Sequence, residues 1–331
     1  MNKRFGKALA AIAIGIATAG AMAGEKLVLS MGFESSMASS QGVGAKEMAR
    51  VAEQLSKGQI DFQFYPDSKL GSGPKMIEMV QKGELDIFFG GAGYFAALDS
   101  RINIFDIPYL FENVEQAYKV MDSKFGREML GVFEPHGLKG LGFWENGIRS
   151  ITNNTKPITR PEDIEGLKMR IMPGSPVYEK LWKLAGTETT PMPSGAIYKA
   201  IQEGRINSQE HPIATIYARK FYEVQKYLSL THHLYGPLIQ VMTLKTFKAL
   251  PKQQQDILLK ASYAGAVAMR KFSNENEAKF VEEMKQKGMQ VNDVDPKAFR
   301  DKLRPEIEKD FIARNGDAWL KKVNAALAAR K

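Results

Sequence analysis

Two arginines stand where a charge is hard to keep. Arg149 ends the run Trp-Glu-Asn-Gly-Ile-Arg that starts at Trp144, and Arg170 lies within Gly-Leu-Lys-Met-Arg-Ile-Met-Pro, residues 166–173. Both sit in or beside short apolar runs with the pattern of strands. A guanidinium is permanently charged and presents a planar fork of donors that matches a carboxylate, so an arginine among core residues requires an anionic partner. For Arg170 that partner is either Glu165 or Glu210 of the chain itself, or a bound anion. His211 follows Glu210 near a polar strand end, where an imidazole either donates to a hydroxyl or carboxylate or is satisfied by the fold. Glu210 then orients Arg170 or His211 from behind, or is purely structural. Glu34, just after the first strand, is an acceptor for a hydroxyl or a solvated loop acid, and Tyr94, Trp144 and Tyr235 are walls of a cleft or core aromatics.

Other chemistries find little support. Glu145 and Glu210 are a conceivable carboxylate pair for a secreted hydrolase, but nothing in their spacing favours it, and neither Gly-x-Ser-x-Gly nor His-Glu-x-x-His occurs. His232 and His233 are adjacent, so on a regular strand they point to opposite faces and cannot chelate one ion; no metal is expected. Zero cysteines exclude thiol catalysis and Cys-ligated zinc. Neither Gly71-Ser-Gly-Pro-Lys75 nor Gly90-Gly-Ala-Gly93 fits a phosphate-loop or dinucleotide pattern, and no cofactor is expected.

The elements that must position these residues alternate. Residues 26–33 have the pattern of a strand, 42–57 of a helix, and Ile60, Phe62 and Phe64 alternate with polar neighbours as in a half-buried strand. A helix through Met76, Met79 and Val80 stops at Gly83, and the run from Leu85 to Phe89 enters the glycine loop. Strand, helix, strand, helix, strand predicts a parallel α/β sheet, which binds ligands at the carboxyl ends of its strands. Two helices and a strand over 140–144 follow; beyond Arg170 the order repeats, with a helix over 178–185, a strand over 187–191, a helix over 197–203 and a strand over 205–210. Residues 76–86 align with 197–207, sharing apolar positions, a Gln and a Gly, which predicts two βαβ lobes with a cleft between them. From Pro251 to about Gly288 the pattern is helical, about 55 Å at 1.5 Å per residue, long enough to bridge both lobes unless Gly265 or residues 273–276 bend it. Two more amphipathic helices close the chain.

The 331 residues, 44% hydrophobic and 25% charged, have ordinary globular composition. Lys3, Arg4 and Lys7, the apolar stretch 8–19 and Ala21-Met-Ala23 form the three parts of a cleavable signal peptide, residues 1–23, and predict export. The formal charge of +9 includes those three cations, which leaves about +6 spread along the remainder; a nucleic-acid protein concentrates such charge on one face, and the milder reading is a bias towards small anions.

Taken together, the runs Tyr65-Pro-Asp-Ser-Lys-Leu-Gly71, Ile107-Pro-Tyr-Leu-Phe111, Trp144-Glu-Asn-Gly-Ile-Arg149, Pro157-Ile with Pro161-Glu-Asp-Ile, Gly166-Leu-Lys-Met-Arg170, Thr190-Pro-Met-Pro193, Gln209-Glu-His-Pro212 and Lys220-Phe-Tyr-Glu-Val-Gln-Lys-Tyr-Leu-Ser-Leu-Thr231 resemble the solute-binding proteins of the TRAP family, the tripartite ATP-independent periplasmic transporters. The resemblance covers nearly all of the chain beyond residue 23. It implies a two-lobed α/β fold joined by crossing strands and a long helix, closing over an organic acid of the sugar-acid or C4-dicarboxylate type and handing it to membrane permease subunits without catalysis. It further implies that Arg170 holds the ligand carboxylate in a two-pronged salt bridge and that Arg149 adds a contact.

This chain departs from the family's pattern at three places: Asn207-Ser208 stands where Asp-Gly is usual, and the other two bear on the pocket. His211 stands where an Asn is usual, and Pro193-Ser194-Gly195-Ala196 where many members read Pro-Phe-Ser-Glu, so Ser194 widens the pocket and His211 offers a new polar contact. The expected division is lobe I over 24–147 with a returning segment near 235–272, and lobe II over 148–234 with part of the helices in 273–331. The expected protein is a periplasmic monomer; a sensory rather than a transport partner is the alternative within the same fold.

Overall fold

The computed structural model describes residues 26–329, so the expected signal peptide lies outside the described residues. The first unit runs β1 (Leu27–Gly32), α1 (Ser40–Leu55), β2 (Ile60–Tyr65), α2 (Gly73–Lys82) and β3 (Ile87–Gly91). Ile60 and Phe62 turn inward as their alternation requires, and α2 ends on Gly83 at φ 76°, a left-handed conformation that glycine adopts without a Cβ penalty. β1 lies between β2 and β3 and is parallel to both. α3 (Val114–Met121) and α4 (Lys124–Gly131) follow, then β4 (Leu138–Asn153).

The second unit repeats the first: β5 (Lys168–Ile171), α5 (Pro176–Leu184), β6 (Glu188–Pro191), α6 (Ile197–Gln202) and β7 (Ser208–Pro212). β5 again lies between its two neighbours and is parallel to both. The aligned residues Asp86 and Asn207 do the same job in the two units: the Asp86 carboxylate accepts from the Ser30 amide of β1 at 2.8 Å, and the Asn207 side-chain oxygen from the Lys168 amide of β5 at 2.9 Å. The internal echo is therefore a structural repeat.

After α7 (Ile213–Ala218) comes β8 (Tyr227–Thr243), antiparallel to β4, and the pair forms the seam of one nine-stranded sheet, eight strands of which run in the order β2-β1-β3-β8-β4-β7-β5-β6 while the last strand of the chain pairs with β8 off this path. β8 meets β3 through Leu238–Met242, while β4 meets β7 through Arg149–Asn153, so each long strand serves both halves. Three register shifts interrupt the seam, one between Glu145 and Gly147, where Gly147 takes φ 116°. Arg149 thus belongs to a strand of 16 residues rather than a short one, because glycines and bulges hide its apolar alternation in the sequence.

α8 (Leu244–Ala249) leads into α9 (Lys252–Gln286), an unbroken helix of 35 residues, about 52 Å long. Its early residues Leu258, Ala261 and Met269 pack in the core of the first unit, and its late residues Phe280 and Met284 in that of the second. β9 (Gln290–Asp293), which the sequence pattern did not predict, adds in parallel to the start of β8, and α10 (Pro296–Asn315) and α11 (Ala318–Ala328) complete the chain. Among the described residues no helix is long and apolar enough to cross a membrane.

Candidate functional site

The parallel strands of the two units end facing one another, and between them lies a polar cavity with about 400 Å³ of space between atoms, part of it open to solvent. The first unit lends Glu34 and Ser35 after β1, Gln41 of α1, Gly91 and Tyr94; the second lends Arg170, Met172, Ser194, His211, Thr215 and Arg219; Asn146 and Arg149 enter from β4. Gly91 lines it because a Cβ there would stand 2.9 Å from the Met172 sulfur across the gap.

Arg170 lies on β5 and is 1% exposed. Its Nε donates to the Met192 carbonyl at 2.9 Å, which fixes the plane of the guanidinium. Neither expected glutamate meets it: Glu165 pairs with Lys302 at 3.4 Å and Glu210 with Arg149, and among the described residues no carboxylate forms a salt bridge with Arg170. A buried cation without an anion costs several kcal/mol, which an anionic ligand held by the free fork would offset.

Arg149 is the opposite case. Its Nε and Nη2 grip the Glu210 carboxylate, with Nη2 at 2.7 Å from Oε1, and Nη2 also donates to the Glu210 carbonyl at 2.8 Å. Tyr178 donates to the same carboxylate, and His233 Nε2 lies 3.3 Å from it. Burial works to raise the Glu210 carboxyl, but the adjacent guanidinium outweighs it and holds the group far below the usual carboxylate range. Glu210 thus orients Arg149, not Arg170 or His211, and does not itself line the cavity. Arg149, neutralised from behind, presents a cation already paired.

His211 is buried at the cavity wall. Burial, then the positive fields of Arg149 and Arg170, push its imidazole well below its ordinary range, so the ring is neutral. Gln209 donates its amide to Thr152 Oγ1, which turns its Oε1 towards His211 Nδ1 and places the ring proton there. Nε2 is then an acceptor, 3.4 Å from Ser194 Oγ. In this tautomer His211 accepts a hydrogen bond from a hydroxyl at Nε2, rather than donating to a hydroxyl or carboxylate there. Glu34 is a second acceptor, with the Tyr94 hydroxyl donating to it at 3.3 Å.

Trp144 and Tyr235 lie outside the cavity. Trp144 is fully buried, its ring centroid 4.6 Å from that of Phe89 and its Nε1 donating to Ser262 at 3.2 Å, wedged where α1 meets α9. Tyr235 donates to Glu145 at 2.8 Å and packs edge-on against Phe111. The aromatic content that suggested cleft walls is core in both cases. Sequence reasoning missed Arg219, which donates to the Glu34 carbonyl at 3.1 Å, because Arg219-Lys220 at a helix end has the look of ordinary dipole-complementing cations. Asn146 and Gln41 were likewise missed; Asn146 sits within the Trp144–Arg149 run, where its place next to the Gly147 bulge was the available signal. Among the described residues no cluster of three metal-ligating side chains occurs, and His232 and His233 take no part in the cavity.

Two α/β units joined by crossing strands, with a cationic cavity between facing strand ends, define a two-lobed solute-binding protein. The chain belongs to the bacterial extracellular solute-binding protein family 7, whose sequence profile matches residues 31–314. It is 36% identical over 285 residues, 86% of this chain and 87% of its relative, to the 2,3-diketo-L-gulonate-binding periplasmic protein YiaO of Escherichia coli strain K12. Its fold superposes at TM-score 0.87, with 33% identity over 92% of this chain and all of the other, on a TRAP periplasmic solute binding protein from Polaromonas sp. JS666 bound to D-erythronate. It superposes at TM-score 0.86, with 28% identity over 91% and 99% of the two chains, on the sugar acid binding protein DctPAm from Advenella mimigardefordensis in complex with galactonate. The protein is a TRAP-type solute-binding protein and not an enzyme; Glu145 and Glu210, the residues of the hydrolase alternative, are engaged by Tyr235 and Arg149 on different sides of β4.

Proposed function

We propose that this protein captures a hydroxylated monocarboxylic acid of the sugar-acid type and delivers it to the membrane subunits of a TRAP transporter. The observation that carries this reading is the division of the cavity between Arg170, a deeply buried guanidinium with no carboxylate partner among the described residues, and two acceptors, His211 Nε2 and the Glu34 carboxylate, the latter beside the half-buried Arg219. A carboxylate fits the first, and hydroxyls fit the second pair, whereas a second carboxylate there would face lone pairs. Arg149 and Tyr94 complete the wall, and Ser194 gives room for the chain of the ligand. The three relatives named bind 2,3-diketo-L-gulonate, D-erythronate and galactonate, each an acid with hydroxyls along its carbon chain.

Closure is part of the proposal. The lobes divide on β4 and β8 beside Gly147 and Gly236, with α9 as the third connection, and the exported chain acts as a monomer in the periplasm after loss of residues 1–23. Thermal-shift and calorimetric titration against sugar acids and C4-dicarboxylates tests the ligand class. A sugar acid at one hundred times its dissociation constant should stabilise the protein by about 2.7 kcal/mol, with no such effect from succinate. Stabilisation by diacids alone, or by no acid, would overturn the assignment.

A further inference from the structure

We propose that Arg219 is a specificity-determining residue that selects ligands by length, holding an oxygen at the far end of the chain whose carboxylate sits at Arg170. This rests on the sugar-acid reading and adds to it the residue that measures the acid.

The placement of Arg219 differs from that of the other two arginines. Arg170 lines only the inner cavity, and Arg149 lines both that cavity and the small space behind it. Arg219 lines the inner cavity and also the outer pocket, about 700 Å³ of space open to solvent, which shares Glu34, Ser35 and Ser194 with it. It therefore stands at the mouth, opposite in sense to Arg149. Its side chain is half-buried, with Nη2 bonded to the Glu34 carbonyl at 3.1 Å, while Nε is sealed from solvent and has no hydrogen-bond partner. No carboxylate among the described residues forms a salt bridge with it, and burial lowers the guanidinium's hold on its proton while Glu34 and Tyr94 oppose that shift.

The bond from Arg219 to Glu34 crosses the cleft, from the end of α7 in the second unit to the end of β1 in the first. An acceptor on the ligand at the mouth meets a guanidinium that no carboxylate of the described residues neutralises, and it meets Arg219 and Glu34 together only in the closed arrangement. A hydroxyl suits the place, since it accepts from Arg219 while donating to the Glu34 carboxylate, whose other contact is the Tyr94 hydroxyl at 3.3 Å. An acid too short to span from Arg170 to the mouth leaves the donor unused.

Calorimetry on the mature chain with glycolate, glycerate, erythronate and gluconate, linear hydroxy acids of increasing length, tests this on the wild type, Arg219→Gln and Arg219→Lys. Wild-type affinity should climb along the series. Arg219→Gln should leave the two shortest acids within about threefold and weaken the longer ones by about tenfold or more, the discrimination expected from stranding or losing one buried hydrogen bond. Arg219→Lys keeps the charge at the mouth but lacks the planar fork that bonds Glu34 and a ligand oxygen together, and should show the same selective loss. An equal loss across the series, an unchanged series in Arg219→Gln, or full recovery in Arg219→Lys would each overturn the role. If the wild type binds none of these acids, the sugar-acid reading fails and the length-measuring role falls with it.

Discussion

With Nε committed to the Met192 carbonyl, Arg170 has its two Nη groups left for a ligand, whereas Arg149 spends Nε and Nη2 on Glu210. The two cations therefore differ in what their removal does. Arg170→Met takes away a buried charge that no carboxylate of the fold offsets, so the ligand-free protein should gain stability, on the order of 1–3 kcal/mol by urea denaturation, while affinity for the acid falls at least a hundredfold. Arg149→Met strands Glu210 without its partner at 0% exposure and should cost on the order of 3–5 kcal/mol of stability. Unchanged affinity in Arg170→Met would remove the carboxylate clamp from the picture; a large stability loss there would make Arg170 structural. Arg170 was legible in the sequence because a cation flanked by Met169 and Ile171 has few purely structural explanations. Arg219 was not, since its neighbours Ala218 and Lys220 are exposed and only the turn of the chain after α7 brings it back over the cleft. The acceptor role of His211 was hidden for another reason: the tautomer is set by Gln209 and Thr152, contacts made only once β7 lies against β4.

At the level of elements, the repeat was readable because helix, glycine stop and strand follow one another in the same order with Asp86 and Asn207 in register. The crossing strands were not, because β4 carries glycines at positions 140, 142 and 147 and changes register at each bulge, which removes the period of two that marks a strand. The length of α9 is plain in its helical spacing, but Gly265 does not bend it and has another use. A Cβ on Gly265 would lie 2.7 Å from the Trp144 ring and 2.8 Å from the Gly44 carbonyl, so this glycine lets two helices and an indole meet. Gly→Ala inside a helix ordinarily stabilises by about 0.5–1 kcal/mol. Gly265→Ala should instead destabilise by about 1–3 kcal/mol, the cost of overpacking. Gly131→Ala in α4, where an added methyl meets nothing within 4 Å, is the control expected to be neutral or stabilising in the same thermal melts. A gain in stability from Gly265→Ala would show that α1 and α9 have slack at their crossing.

For the molecule as a whole, the seam between the lobes holds two acids that burial keeps protonated to higher pH than usual. Glu145, at the β4 bulge, and Asp106, beside the start of α5, are each pushed up to about 7, chiefly by burial; for Asp106 the Ser175 hydrogen bond and the Arg149 charge oppose the rise and Glu210 adds to it, and for Glu145 the Tyr235 hydroxyl and Arg270 oppose it. Hydrogen bonding agrees for Asp106. Ser175 Oγ has one proton yet lies 2.7 Å from Asn103 Oδ1 and 2.5 Å from Asp106 Oδ2, so a proton on Asp106 completes the chain that ties the first unit to α5. A carboxyl whose pKa is raised by folding contributes stability that is complete below its unfolded value, near 4, and is lost as pH rises through about 7. Glu210, held low, acts in the other direction: its contribution is complete above an unfolded value near 4.5 and is lost in acid. Because cation repulsion also changes with pH, the clean observable is a difference between proteins. Glu145→Gln should match the wild type near pH 4.5 and become the more stable of the two as pH rises, by about 3 kcal/mol at pH 8, since each tenfold change in a carboxyl's proton affinity is worth about 1.4 kcal/mol. Asp106→Asn, which keeps a donor towards Ser175, should diverge from the wild type over the same window and with the same sign. Urea denaturation at half-unit steps from pH 4.5 to 8 measures both, and a difference that is flat with pH, or that favours the wild type in alkali, would mean that these carboxyls are ionised in the native seam.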